Sequence, residues 1–113
     1  MASDASFVDY ILDQISSAGH ISSRKMFGEY ALYCDGKVVA LICDNKLFIK
    51  ITEAGKKFIG KEPIPEAPAY PGAKPSFLIE DQIDDQTWLT TLIQLTAETL
   101  PLPKPKKNPK KIK

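Results

Sequence analysis

The sequence predicts an α+β domain, a two-layer arrangement of order α-β(3)-α-β(2)-α in which helices cover an antiparallel sheet. Apolar residues recur at helical spacing near the start of the chain and again between Trp88 and Leu100. Between these segments the period falls to two, and Asp35-Gly36 and Asp44-Asn45 interrupt the alternation at hairpin spacing. Amphipathic helices and a half-apolar sheet each need a partner surface, and stacking them in two layers supplies it.

The elements follow in order. Phe7, Ile11, Ile15 and Ala18 form one stripe, widened by Val8 and Leu12, with Asp9, Asp13 and Gln14 outward. Ser3, Asp4 or Ser6 can cap this helix, and Gly19 suits the position just past its end. Residues 24–34 read as one strand, with Met26, Tyr30, Leu32 and Cys34 on one side and Phe27, Ala31 and Tyr33 on the other. Gly28 is read as a bulge that bends it. Asp35-Gly36 predicts a type I′ turn, which needs positive φ at both central residues. Lys37–Cys43 is apolar on both parities and is therefore central, with Val39 and Leu41 grouped with Tyr33, and Val38 and Ile42 with Leu32. After Asp44-Asn45, residues 46–51 alternate cleanly. Thr52 caps a short helix, Glu53–Ile59, closed by Gly60. Pro63, Pro65, Pro68 and Pro71 confine any strand in residues 61–74 to a short edge. Residues 76–80 form a last strand, and Asp84 or Asp85 caps a helix that buries Leu89, Leu92, Ile93, Thr96 and Leu100.

At 113 residues the chain holds one domain, residues 1–100, and a tail, residues 101–113. The net charge of +1 hides a partition between them. The tail carries six lysines (Lys104, Lys106, Lys107, Lys110, Lys111 and Lys113), four prolines and no acid. The first hundred residues therefore hold nine basic against fourteen acidic groups, a balance of −5. Proline denies the tail a regular helix, and its charge favours solvated, disordered chain. No apolar run reaches the roughly 20 residues that span a bilayer, so no membrane association is expected. The N-terminus lacks a basic-then-apolar leader, and two cysteines suit a reducing, cytoplasmic compartment.

Few residues carry chemistry. With residue 34 opposite 37, Cys43 falls opposite residue 28, placing the two sulfurs roughly 20 Å apart and beyond disulfide reach. Buried, inert thiols are the simpler reading. His20 is a loop residue with no base-and-nucleophile arrangement around it in the sequence, and no Cys-x-x-Cys or paired histidine indicates zinc. Glu80, Asp81, Asp84 and Asp85 lack calcium-loop spacing and are explained by helix capping. We therefore expect no enzyme, no metal and no cofactor. Two features point to a polyanion. Arg24 and Lys25 lie beside Phe27, Tyr30 and Tyr33, a mixture that single-strand binders use, although strand packing is the better explanation of the aromatics. The tail lysines can neutralise phosphates, or simply solubilise the chain or fold back on its acidic body. The apolar second face of the sheet suggests a protein partner or a homodimer.

The run Arg24, Lys25, Met26, Phe27, Gly28, Glu29, Tyr30, followed by Asp35-Gly36 and then Leu47, Phe48, Ile49, Lys50, resembles the signature of the TfoX/Sxy family's N-terminal domain. The resemblance covers about residues 5–99, and Met26, Phe27, Gly28, Tyr30, Asp35, Gly36, Leu47 and Lys50 carry it as structural motif positions. It implies a secretion-chaperone-like fold of the order derived above, in a bacterial cytoplasmic protein. It also implies a regulatory adaptor without catalysis. Relatives regulate competence as coactivators with the cyclic-AMP receptor protein. Those regulators have a second, helical domain where residues 101–113 stand here. The alternative is a stand-alone chaperone-like or protein-interaction module, dimeric through its sheet and with no nucleic-acid role.

Overall fold

In the computed structural model, residues 4–26 and 29–100 are described. Three helices, α1 (Ala5–Gln14), α2 (Glu53–Ile59) and α3 (Gln86–Thr99), accompany six strands. These are β1 (Ile21–Met26), β2 (Glu29–Cys34), β3 (Lys37–Cys43), β4 (Lys46–Ile49), β5 (Glu66–Pro68) and β6 (Pro75–Ile79). They form one sheet of spatial order β1-β2-β3-β4-β6-β5, antiparallel at every pairing.

The α+β class holds, but there are six strands where five were expected. What read as a single strand over residues 24–34 is two antiparallel strands, with Met26 level with Glu29, Lys25 with Tyr30 and Arg24 with Ala31. Each strand keeps its own alternation, so a two-residue interruption leaves no break in the period, and Phe27-Gly28 lacks the Asn-Gly or Asp-Gly signature of a hairpin. The expected Gly28 bulge lies outside the described residues, as does everything expected of Phe27 and of the tail. A bulge does occur one strand further on. Leu32 pairs with Ala40 but Tyr33 with Val38, leaving Val39 as the additional residue. Val38 is therefore level with Tyr33, and Val39 joins the core, the reverse of the expected grouping.

Both tight turns are built as expected, with positive φ at Asp35 (53°) and Gly36 (83°) and at Asp44 (53°) and Asn45 (57°). The edge strand in the proline-rich stretch is three residues long and ends at Pro68. Thr52 caps α2, its hydroxyl accepting from the Gly55 N–H at 3.0 Å. Asp85, rather than Asp84, caps α3, accepting from the Trp88 N–H at 3.1 Å. Asp4 is the N-terminal flanking residue of α1, and its backbone N–H donates to the Asn45 side-chain oxygen at 2.7 Å, tying the helix start to the β3–β4 turn. Gly19 does not end α1 in the left-handed conformation. It follows a 3-10 turn, Ser16–Ala18, with extended backbone (φ 161°), and its missing side chain matters for a different reason. A Cβ there would stand 3.0 Å from the Cys34 sulfur and 3.1 Å from the Asp35 carboxylate.

The core lies between the helices and one face of the sheet. Val8, Ile11 and Ile15 from the first helical segment and Leu89, Leu92, Ile93, Thr96 and Ala97 from α3 are buried. They meet Leu32, Val39, Ala40, Ile42, Leu47, Ile49, Phe77 and Ile79 from the strands. Polar contacts close the seams. The Gln14 side-chain amide donates to the Ile83 carbonyl at 2.8 Å, and the Thr90 hydroxyl to the Gln14 carbonyl at 3.0 Å. Lys37 reaches from the sheet to the last turn of α3, where its ammonium donates to the Ala97 carbonyl at 2.7 Å and complements the negative end of the helix.

Candidate functional site

Because side chains alternate along each strand, the residues not directed at the helices share the opposite face. The pairings place Arg24 with Ala31, Tyr33 with Val38, Ala31 with Leu41, Leu41 with Phe48, and Phe48 with Leu78 on that face. Ala31 and Phe48 are buried, and Tyr33, Val38, Leu41 and Leu78 are half-buried, so the face has an apolar floor although none of its residues joins the helix-packed core.

Two depressions open on it. The first, about 410 Å³, has Leu41, Phe48 and Ile51 in its lining, Tyr70 exposed at one wall, and Lys50 and Lys74 as the charged lining residues among those described. The second, about 370 Å³, lies beside the edge strand and is lined by Ser22, Ser23, Arg24, Tyr33 and Gly36. The charge of this face opposes that of the domain. Arg24, Lys46, Lys50 and Lys74 lie on or beside this face with Glu29, and Asp44 and Glu80 directly follow β3 and β6, in a body whose balance is −5. Glu29 is already engaged. It accepts a hydrogen bond from the thiol of Cys43, and burial first, then this carboxylate, pushes the cysteine pKa up to about 12. Cys34 is raised in the same direction, chiefly by burial, and both thiols are free.

The residues singled out in the sequence are divided by this geometry. Arg24 and Tyr33 line the same depression. Lys25, although adjacent to Arg24, is level with Tyr30, whose ring packs against the helix-side core. The expected cation-and-aromatic cluster is therefore split between two faces. Of the motif positions, Leu47 is a core residue, Tyr30 supports the core, Asp35-Gly36 make the turn, and Lys50 stands at the rim of the larger depression. Met26 is placed through its pairing with Glu29. Lys104, Lys106, Lys107, Lys110, Lys111 and Lys113 lie outside the described residues.

Sequence reading missed Tyr70, Lys74 and the depression they help form. They sit in a proline-rich connection that has no period, and only the return of that connection beside Phe48 makes them part of a surface. His20 is exposed, its backbone N–H donating to the Asp35 carboxylate at 2.9 Å. The acidic run forms a 3-10 turn, Asp81–Asp84, where Asp84 accepts from the Tyr10 hydroxyl and raises its pKa. Among the described residues no three of His, Cys, Asp or Glu are grouped as a metal would require, and no helix is long and apolar enough to cross a membrane.

The architecture is that of a small α+β domain with one sheet face packed by helices and one that carries none among the described residues. Residues 13–100 match the TfoX N-terminal domain family. The chain is also similar to an uncharacterized 12.7 kDa protein in the trpE 5′ region of Spirochaeta aurantia, at 40% identity over 107 residues, covering 95% of this chain and 91% of the relative. The chain belongs to the TfoX N-terminal domain family.

Proposed function

We propose that the chain is a non-enzymatic, cytoplasmic regulatory adaptor of the TfoX kind, acting on transcription, in competence or a related programme, by contacting a regulator such as the cyclic-AMP receptor protein. The match of residues 13–100 to the TfoX N-terminal domain carries this reading. The helix-free face supports it, since an exposed apolar patch rimmed by polar residues marks a protein-interaction surface. Lys104, Lys106, Lys107, Lys110, Lys111 and Lys113 supply weak, sequence-independent DNA contact that keeps the complex at a promoter.

Transcription in vitro from a promoter dependent on the cyclic-AMP receptor protein tests the reading. Adding the full chain should raise transcript yield only when the receptor protein is present. Yield that does not change, with no association between the two proteins, contradicts it. DNA affinity should fall with salt at a log–log slope no steeper than about −5, the limit for six lysines on duplex. Deleting residues 101–113 should abolish that binding, because the remaining body repels a polyanion.

A further inference from the structure

The larger depression allows a more specific statement, which rests on the adaptor reading and names the chemistry of the partner. We propose that the depression between Lys50 and Lys74 receives an apolar side chain from an acidic segment of a partner protein, with flanking carboxylates held by the two ammonium groups.

The lining has two parts with different requirements. Leu41, Phe48 and Ile51 offer apolar surface recessed below the face, and Phe48 is only 5% exposed. Such a floor rewards an inserted aliphatic or aromatic side chain, because each apolar group removed from water there contributes in proportion to its area. Tyr70, 53% exposed, can close over the inserted group like a wall, keeping its hydroxyl in water. Lys50 and Lys74 are both exposed and flank this floor with no carboxylate among the described lining residues. Two cations gathered around an apolar hole in a body of balance −5 run against the charge of the domain, and they complement a segment that alternates acidic and apolar residues.

Nucleic acid fits less well. Stacking needs exposed rings in series, whereas Phe48 is recessed and Tyr33 belongs to the other depression. The net negative body also repels a long polyanion more than a short peptide with a few charges.

The probe is a fluorescein-labelled peptide alternating Asp or Glu with Leu and Phe, titrated against the full chain by anisotropy. Saturable binding is expected, weakening as salt rises and by about tenfold or more in the double variant Lys50→Glu/Lys74→Glu. Lys50→Arg/Lys74→Arg should retain it, and an analogue with Lys at the acidic positions should not bind. Tyr70→Ala should weaken it without changing the salt dependence. Both lysines are exposed, so circular dichroism should show the charge-reversed protein folded. Equal affinity in wild type and the Glu double variant would overturn the proposal, as it would if the tail lysines held the peptide. Absence of saturable binding would overturn it too, as would a single-stranded oligonucleotide that displaces the peptide through the same two lysines. The double variant also separates this proposal from the adaptor reading. If it still raises transcription, the adaptor stands without this site; if wild type binds peptide but never affects transcription, the adaptor role fails alone.

Discussion

The two faces of the sheet are made by the same strands and differ in what covers them. On the helix side, Leu32, Ile42, Leu47 and Ile49 are fully buried against α1 and α3. On the other side, Tyr33, Leu41 and Leu78 alternate with the same regularity but stay only half-buried, with Arg24 beside Tyr33 and Lys50 and Lys74 beside Leu41. The first face is completed within the chain. The second has the apolar content of an interior and the charge of a surface, a combination that folding alone does not require.

If this contrast is right, equivalent changes on the two faces have unequal effects. Leu92→Ala, in the core beneath α3, should destabilise the fold by about 2–5 kcal/mol, read as a lowered denaturation midpoint. Asp85→Ala removes the side-chain cap of the same helix and should cost about 1 kcal/mol. Leu41→Ala, on the helix-free face, should cost about 1 kcal/mol, well below Leu92→Ala, since Leu41 is only partly buried. A loss at Leu41 as large as that at Leu92 would mean that the second face is a core in its own right.

A further contrast concerns pH. Cys43 has a pKa near 12 in the fold against an ordinary 9.0, so the folded state holds the thiol proton more tightly than the unfolded state does. Its contribution is complete below about pH 9 and is lost as pH rises toward 12. Denaturant titrations should show wild type losing stability relative to Cys43→Ala across that window. A constant difference would show that Glu29 and burial do not act on the thiol.

Much of the helix side was legible in the sequence because its signals are local. The 3.6-residue stripe of α3, the Thr52 cap and the turns at Asp35-Gly36 and Asp44-Asn45 each depend on neighbours in the chain. What escaped depends on register. The division of residues 24–34 into β1 and β2 reverses which face each position before the break occupies, and the extra residue at Val39 reverses Val38 and Val39. Neither leaves a mark on the periodicity. Lys25 was consequently grouped with Arg24, although they serve opposite faces. The larger depression was less legible still, because Tyr70 and Lys74 meet Phe48 only through the path of a connection rich in proline.

The most direct measurement is an amide chemical-shift titration of the isotopically labelled chain with the cyclic-AMP receptor protein. The account predicts shifts concentrated at Tyr33, Leu41, Phe48, Lys50 and Tyr70, with the exposed positions of α1 and α3 unmoved. Shifts confined to Asp9, Asp13 and Gln94 on the helices, with the helix-free face silent, would contradict it.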